Sequence, residues 1–551
     1  MSLVRIQSPR PLLIFLQLLL VIVAAFLPGF LFYRRFLESG DDDGGQVLSG
    51  AFACSLLIIS AIAFASFLAG RPTAGTNGAL YGATIVALAW GRRGRPRVKW
   101  LAPFGAFVLF SLTALELLTI LPSYQAAYAL DWSLYYPNVA VYLRTLATSD
   151  VVNPVQFEYL VKRTPFFSLF NAFFLSFGEP SYASYQIVCV FLNALAFLSV
   201  FSLATRFLSR RAAWSCLALL IVTPLPFFGV VIPTPKFVAA FCFLTVALTY
   251  LPVRHTLFLD ENRRRLWLCI LVSGTAYMIH PSTILYLLFI GVDQLIVLIR
   301  RHGTIRWRPL ITSVGLLTLI IAPWFVWSVH EFGAERVFRP TYTISEQHLT
   351  TGEYVRSRFL MLATTLFMPE STFEVLTTGG SATASEWFEH LANPLVRFYW
   401  ETFLGGMTVT MTMIGLARWR GRRVLPSGLG RLLGWAAAGA LACLLIHLLV
   451  DPEGHAANIM SPLALVWFVV LWGFLGDAPA WLRAAAVAGI LMEFGAAFRL
   501  VTIVTAREPH RFAYLSDVAG PVGAGGMAIF VVLLGVTSAA YLWTLRSAVK
   551  A

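Results

Sequence analysis

The chain reads as an all-α polytopic membrane protein of about 14 transmembrane helices with two long external loops carrying surface helices. Three observations lead there. Of its 551 residues, 58% are hydrophobic and 12% charged, against roughly 25% charged in soluble domains. The mean hydropathy is +0.75. Apolar windows near the length needed to cross about 30 Å of hydrocarbon recur along the chain, and every second connection between them is rich in arginine.

The first of these stretches, MSLVRIQSPRPLLIFLQLLLVIVAAFLPGFLFYRRF, begins with basic residues. Its apolar run is too long for a typical signal peptide and lacks a small-residue cleavage site, so it reads as a first span. The windows lie at about 11–33, 47–69, 101–122, 183–205, 212–228, 238–252, 266–279, 283–299, 309–329, 401–417, 432–450, 460–476, 484–504 and 527–545. A weaker Gly/Ala-rich run at 77–90 either spans, re-enters or lies at the interface, and the topology of the N-terminus depends on it.

Orientation follows from the basic connections GRRGRPRVK (91–99), TRFLSRR (205–211), RHTLFLDENRRR (254–265), RRHGTIRWR (300–308) and RWRGRR (418–423), because short cytoplasmic loops are enriched in Lys and Arg. The net charge of +14 is thereby assigned to membrane orientation, and nucleic acid is not an expected partner. The alternate connections, about 123–182, 229–237, 280–282, 330–400, 451–459 and 505–526, are expected outside, with the C-terminus cytoplasmic. The chain divides into N-terminal helices (1–100), a central module (101–330, first external loop 123–182), a long external loop (331–400) and C-terminal helices (401–551). All six cysteines fall inside apolar runs without metal or disulfide spacing and read as packing residues. The DDDGG run at 41–45 lacks a surrounding βαβ pattern and reads as a solvated loop.

Several polar residues interrupt this apolar pattern. Asp131 follows the end of a span and is flanked by Trp132, Tyr135 and Tyr136, in ALDWSLYYPNVAVYL. Such a carboxylate either faces water or serves as a general base at the membrane surface; YYPNVAVYLRTLA has the spacing of a surface helix. Lys162 and Arg163 are cations on the side that the charge rule disfavours, suited to a phosphate or to lipid headgroups. Lys236, in VVIPTPKF, is a second phosphate contact or an interfacial lysine. His280 contacts substrate or caps a helix. Glu116 is an acid within a span, a functional candidate by default, with pairing to a buried Arg or hydroxyl as the alternative. Arg336, Arg339 and Tyr342 lie in the long loop, and His455 belongs to a small cluster with Asp451 and Glu453.

The order of these features is similar to that of the GT-C superfamily of membrane glycosyltransferases. An acid with aromatics in the first large external loop is followed by KRTPFFSLF, FGEPSYASYQIVCVFLNAL and the basic turn RFLSRRAAW. TPKFVAAFCFLTVALTYL, YMIHPSTILYLLF and APWFVWSVHEFG continue it. The resemblance covers about 101–330 and lies in the family 39-like branch that contains protein O-mannosyltransferases and lipid A aminoarabinose transferases. Seven windows from 101–122 to 309–329, with long external loops after the first and the seventh, match that branch.

The resemblance implies a GT-C-like fold and an integral, multi-pass, bacterial plasma (inner) membrane enzyme of the cell envelope. It implies transfer of a sugar from a polyprenyl-phosphate donor to a glycan, lipid or protein acceptor on the external, periplasmic face. Asp131 matches the first-loop acid that activates the acceptor hydroxyl, and Lys162 and Arg163 match the donor-phosphate position, with Lys236 as a further contact. Relatives often carry two adjacent acids, whereas Asp131 is followed by Trp132 and the next acid is Asp150. A divalent cation, Mg or Mn, at Asp131 therefore stays open as a cofactor. The alternatives are a lipid or glycan transporter or flippase, which internal repeats would favour, and a catalytically inactive GT-C-like subunit of a membrane complex.

Overall fold

The computed structural model describes residues 11–90, 98–120, 122–124, 164–178, 182–223, 235–300, 307–338, 350, 352, 425–448, 461–476, 478–488, 490–491, 512–514 and 524–549. Within them the protein is a helical bundle. In chain order the helices are α1 (Pro11–Phe32), α2 (Gly44–Leu68), α3 (Ala74–Ala89), α4 (Leu101–Ile120), α5 (Phe166–Leu175) and α6 (Tyr182–Phe207). They continue as α7 (Arg210–Leu220), α8 (Pro235–Tyr250), α9 (Arg263–Ile279), α10 (Thr283–Arg300), α11 (Trp307–Phe332) and α12 (Ala334–Phe338). After the long connection come α13 (Ser427–Leu448), α14 (Ser461–Leu475) and α15 (Ala524–Ala548). β1 (Pro122–Tyr124) and β2 (Phe512–Tyr514) pair antiparallel, Ser123 opposite Ala513, joining the end of α4 to the chain that precedes α15.

Among the described residues, 7 helices are long and apolar enough to cross a membrane, fewer than the expected fourteen. Helices over 101–117, 166–175 and 461–475 are apolar but shorter, and the windows at 401–417 and most of 484–504 lie outside the described residues. Burial sorts the bundle radially. In an apolar 18-residue window of Ser184–Phe207 in α6, 94% of the residues are buried, whereas in such a window of Trp307–Phe332 only 6% are. Leu288, Leu295, Ile311, Leu319 and Val326 of α10 and α11 are exposed, as expected of faces turned to lipid.

Local sequence explains the tight N-terminal packing. Pro28 lies inside α1 and has no N–H to donate to the carbonyl of Ala24. Tyr81 of α3 donates to that carbonyl instead, at 2.9 Å. The next amide, Gly29 N–H, donates to Ser55 Oγ of α2 at 2.8 Å. A methyl group on Gly50 would sit 2.2 Å from the Tyr33 ring, so glycine sets how closely these helices approach. The weak run at 77–90 is thus part of a true helix antiparallel to α2. Its C-terminal carbonyls at Ala87, Leu88 and Trp90 accept from Arg35 Nη1 at 2.7, 3.3 and 3.1 Å. This places the start of α1 at the end of the bundle away from the basic connections.

Two expectations need correction. The run at 166–175, placed within the first external loop, is a helix buried in the bundle: every residue from Phe166 to Phe173 is buried. At 1.5 Å per residue it is only about 15 Å long, too short to span, yet five of its ten residues are phenylalanine, and burial satisfies them. The DDDGG run is only partly a solvated loop: Asp41 and Asp43 are exposed, but the run opens α2 and Asp42 is not solvated. Asp43 caps α2 in a reciprocal capping box with Gln46, and the Asp42 side chain is only 6% exposed. Tyr33 Oη and Ser39 N–H both donate to Asp42 Oδ2 at 2.7 Å, and Arg265 lies 3.8 Å from Oδ1. Burial, the largest influence, holds the Asp42 carboxyl above its ordinary value, against the lowering effect of these three neighbours.

Candidate functional site

The helix directions sort the candidate residues onto one end of the bundle. α4, α9 and α11 finish, and α8, α10 and α15 begin, at the end opposite the basic connections. Glu116 lies one turn before the end of α4. It is 2% exposed, and Oε1 accepts from Thr537 Oγ1 of α15 at 2.6 Å. The same hydroxyl lies 2.6 Å from its own helix carbonyl at Leu533, so one hydrogen serves two acceptors. The hydroxyl alternative anticipated for Glu116 is therefore the observed one, and α15 supplies it from the far end of the sequence.

Lys236 and His280 lie at the same end of the paired helices α8 and α9. Cys269 Sγ contacts the carbonyl of Val246 at 3.8 Å, and this register, carried along both helices, sets Lys236 level with Ile279 and His280. Lys236 occupies the first helical turn of α8, where no acidic residue accompanies it. A cation there meets the positive end of the helix dipole, a contact worth about 0.3–1 kcal/mol. Its charge also acts on Cys443 of α13.

His280 is the C-cap of α9, its N–H donating to Ala276 O at 3.0 Å. Ser282 N–H donates to His280 Nδ1 at 3.3 Å, and Ser282 Oγ lies 2.6 Å from the same nitrogen. Toward the Ser282 N–H, Nδ1 is the acceptor. Thr283 Oγ1 donates to Ala276 O at 2.8 Å and also contacts His280 O. Cys443 Sγ approaches Ser282 O at 3.7 Å, tying α13 to this turn. The capping role considered for His280 is thus observed, and it engages the backbone N–H.

Thr164 is a candidate residue that the sequence alone does not single out. It immediately follows Lys162 and Arg163, is 6% exposed, and its Oγ1 has no hydrogen-bond partner among the described residues. The following helix is anchored by Ser60 Oγ, which donates to Phe166 O at 3.1 Å. Its far end is held where Asn77 Nδ2 donates to Ser176 Oγ at 2.9 Å. Ser60 lies eight residues before the end of α2, about 12 Å inside it, so α5 starts well within the bundle. The signal was present in KRTPFF: a threonine between two cations and a proline, ahead of a run too short to span.

Arg336 is exposed on α12, a short helix set off from α11 by Gly333 at φ +81°. Nothing described brings it to Lys236 or His280. Asp131, Tyr135, Tyr136, Lys162, Arg163, Arg339, Tyr342 and His455 lie outside the described residues, as does the expected surface helix at 135–147. Among the described residues no group of three or more His, Cys, Asp or Glu is placed to hold a metal ion. All six cysteines are buried and free.

No protein-family model matches the sequence, and no curated protein matches it. Two solved structures are similar to the chain. The crystal structure of ArnT from Cupriavidus metallidurans bound to undecaprenyl phosphate is 14% identical, over 82% of this chain and 76% of that one, with a TM-score of 0.45. ArnT from the same organism in the apo state is 13% identical, over 74% of this chain and 89% of that one, with a TM-score of 0.32.

Proposed function

We propose that this protein is an integral membrane glycosyltransferase that moves a sugar from a polyprenyl-phosphate donor to an acceptor at the end of the bundle opposite the basic connections. By the charge rule this end faces outward from the plasma membrane. The observation that carries the reading is the convergence of polar groups at that end of a lipid-embedded bundle. Lys236 sits at the start of α8 and His280 caps α9, while the buried Thr164, deeper in the bundle, directly follows Lys162 and Arg163 in the sequence. The connection that bears Asp131 departs from the same end, at β1.

These residue types suit the chemistry. The acceptor oxygen forms a bond to the anomeric carbon while the bond from that carbon to the phosphate oxygen breaks. The acceptor proton passes to the Asp131 carboxylate, and the bonding electrons leave with the polyprenyl phosphate. The phosphate thereby goes from a monoanionic diester to a dianionic monoester. Fixed cations at Lys162, Arg163 and Lys236 stabilise the charge that grows as the bond breaks, which lowers the barrier more than it favours the bound donor. A donor dissolved in the bilayer enters between helices. The acceptor is a glycan, lipid or protein of the cell envelope. A divalent cation at Asp131 is compatible with this scheme but is assigned no step.

The test is donor consumption by the full-length protein in nanodiscs, with a panel of polyprenyl-phosphate sugars and a cell-envelope extract as acceptor. Transfer, or slow hydrolysis of one donor, supports the reading. A folded, lipid-loaded protein that consumes no donor in the panel contradicts it, and the transporter and inactive-subunit readings then move ahead.

A further inference from the structure

At the other end of the bundle, away from Lys236 and His280, lies a cavity of about 480 Å³ that the glycosyl-transfer scheme does not use. One wall is the π-helical turn Tyr33–Leu37 that ends α1, with the Ser39–Gly40 bend. The other is the Asp260–Asn262 turn with the start of α9. Arg35, Arg263, Arg264 and Arg265 line it, against two carboxylates, Asp260 and Glu261. Four guanidinium groups against two lining carboxylates leave the wall net positive, which favours an anion in the space.

Arg35, Arg263 and Arg264 are exposed and Arg265 is half-buried, yet each is held by a contact. Arg35 is fixed by the three carbonyls that end α3. Arg264 Nη1 donates to Glu38 O at 2.7 Å. Arg265 faces Asp42, and the Arg263 guanidinium stacks over the Trp267 ring, 4.4 Å from its centroid. Each of these interactions uses only part of a five-donor fork. The cavity also has the surroundings of a membrane boundary: Phe36 is 39% exposed, Leu259 is 37% exposed, and Trp267 lines the wall. Aromatic side chains of this kind collect at headgroup level.

We infer that this cavity is a phosphate-binding site, its preferred source the headgroup of an anionic phospholipid in the adjoining leaflet. Arginine forks match phosphate oxygens in pairs, and basic pockets between transmembrane helices suit such headgroups. The inference is independent of the glycosyltransferase reading.

The experiment is native mass spectrometry of the full-length protein in neutral detergent, offered phosphatidylcholine, phosphatidylglycerol and cardiolipin at equal concentration. A separate arm offers inorganic pyrophosphate without lipid. Wild type should retain the anionic lipids over phosphatidylcholine, and the double variant Arg263→Gln, Arg264→Gln should lose about thirtyfold in that retention, on the scale of two headgroup-facing arginines. The variant Asp260→Asn, Glu261→Gln removes the opposing charge and should tighten retention; it keeps the test decisive where the arginine variant does not fold. Pyrophosphate binding with the same arginine dependence, without lipid retention, would support the phosphate site and assign a soluble source. Retention of both ligands that ignores the arginine substitutions, or that falls when the acids are neutralised, would overturn the inference.

Discussion

Replacing Lys236 with methionine should change folding stability and donor binding in opposite directions. The lysine sits in the first turn of α8, where a positive charge meets the positive end of the helix dipole, so removing the charge relieves a contact worth about 0.3–1 kcal/mol. Methionine keeps the length and the apolar stem. If the charge instead serves a donor phosphate, its removal deletes a charge-assisted bond of about 1.5–3 kcal/mol, which corresponds to roughly a ten- to 150-fold loss of donor affinity. Thermal unfolding of the donor-free protein in nanodiscs and equilibrium binding of a polyprenyl-phosphate sugar measure the two quantities separately. An apo protein at least as stable as wild type, with donor affinity reduced on that scale, is the expected result. A destabilised protein whose donor affinity is unchanged would show that Lys236 is structural and would refute its assignment to the phosphate.

Three further outcomes follow from particular contacts. Thr537→Val removes the hydroxyl that meets Glu116 at 2.6 Å and should cost about 1.5–3 kcal/mol in unfolding free energy, while Thr537→Ser should restore it; equal stability of all three proteins would remove Glu116 from the list of paired buried groups. Asp42, held above the ordinary carboxylate value chiefly by burial, binds its proton more tightly folded than unfolded. Its contribution is therefore fully present below the unfolded value near 3.8 and is lost as pH rises through the raised folded value. Unfolding curves from about pH 4 to pH 7 should show Asp42→Asn gaining on wild type as pH rises; a flat difference would contradict the shift. Arg163→Ala should weaken donor binding, and an unchanged affinity would remove this residue from the phosphate site.

Much of the architecture was legible because spanning helices are written in long apolar runs. The windows at 11–33, 183–205, 283–299 and 309–329 correspond to α1, α6, α10 and α11, whose composition alone sets them apart. Helices that span little or nothing were harder. α5 is as apolar as a span but shorter, and its burial depends on partners in α2 and α6 that no local pattern announces. Asp42 and Asp43 looked solvated because runs of acid usually are; Tyr33, nine residues earlier, and Arg265, over two hundred residues later, make Asp42 structural. At the candidate site, Lys236 and His280 were recognisable as polar residues at span ends. Their common level comes from the pairing of α8 with α9, and the contact of Glu116 with Thr537 from a pairing across nearly the whole chain. Thr164 carried a weak signal, since a threonine becomes notable only when its hydroxyl is buried without a partner.

The central claim is glycosyl transfer based at Asp131, and the most direct measurement compares wild type with Asp131→Asn in the nanodisc assay. Donor consumption and sugar transfer would be followed together with donor binding and gel filtration. The account predicts that the variant elutes like wild type and binds donor with similar affinity, yet loses turnover, because the substitution removes the base without changing side-chain volume. Full turnover in the variant, or loss of the folded protein together with loss of turnover, would contradict the assignment of Asp131 as the base.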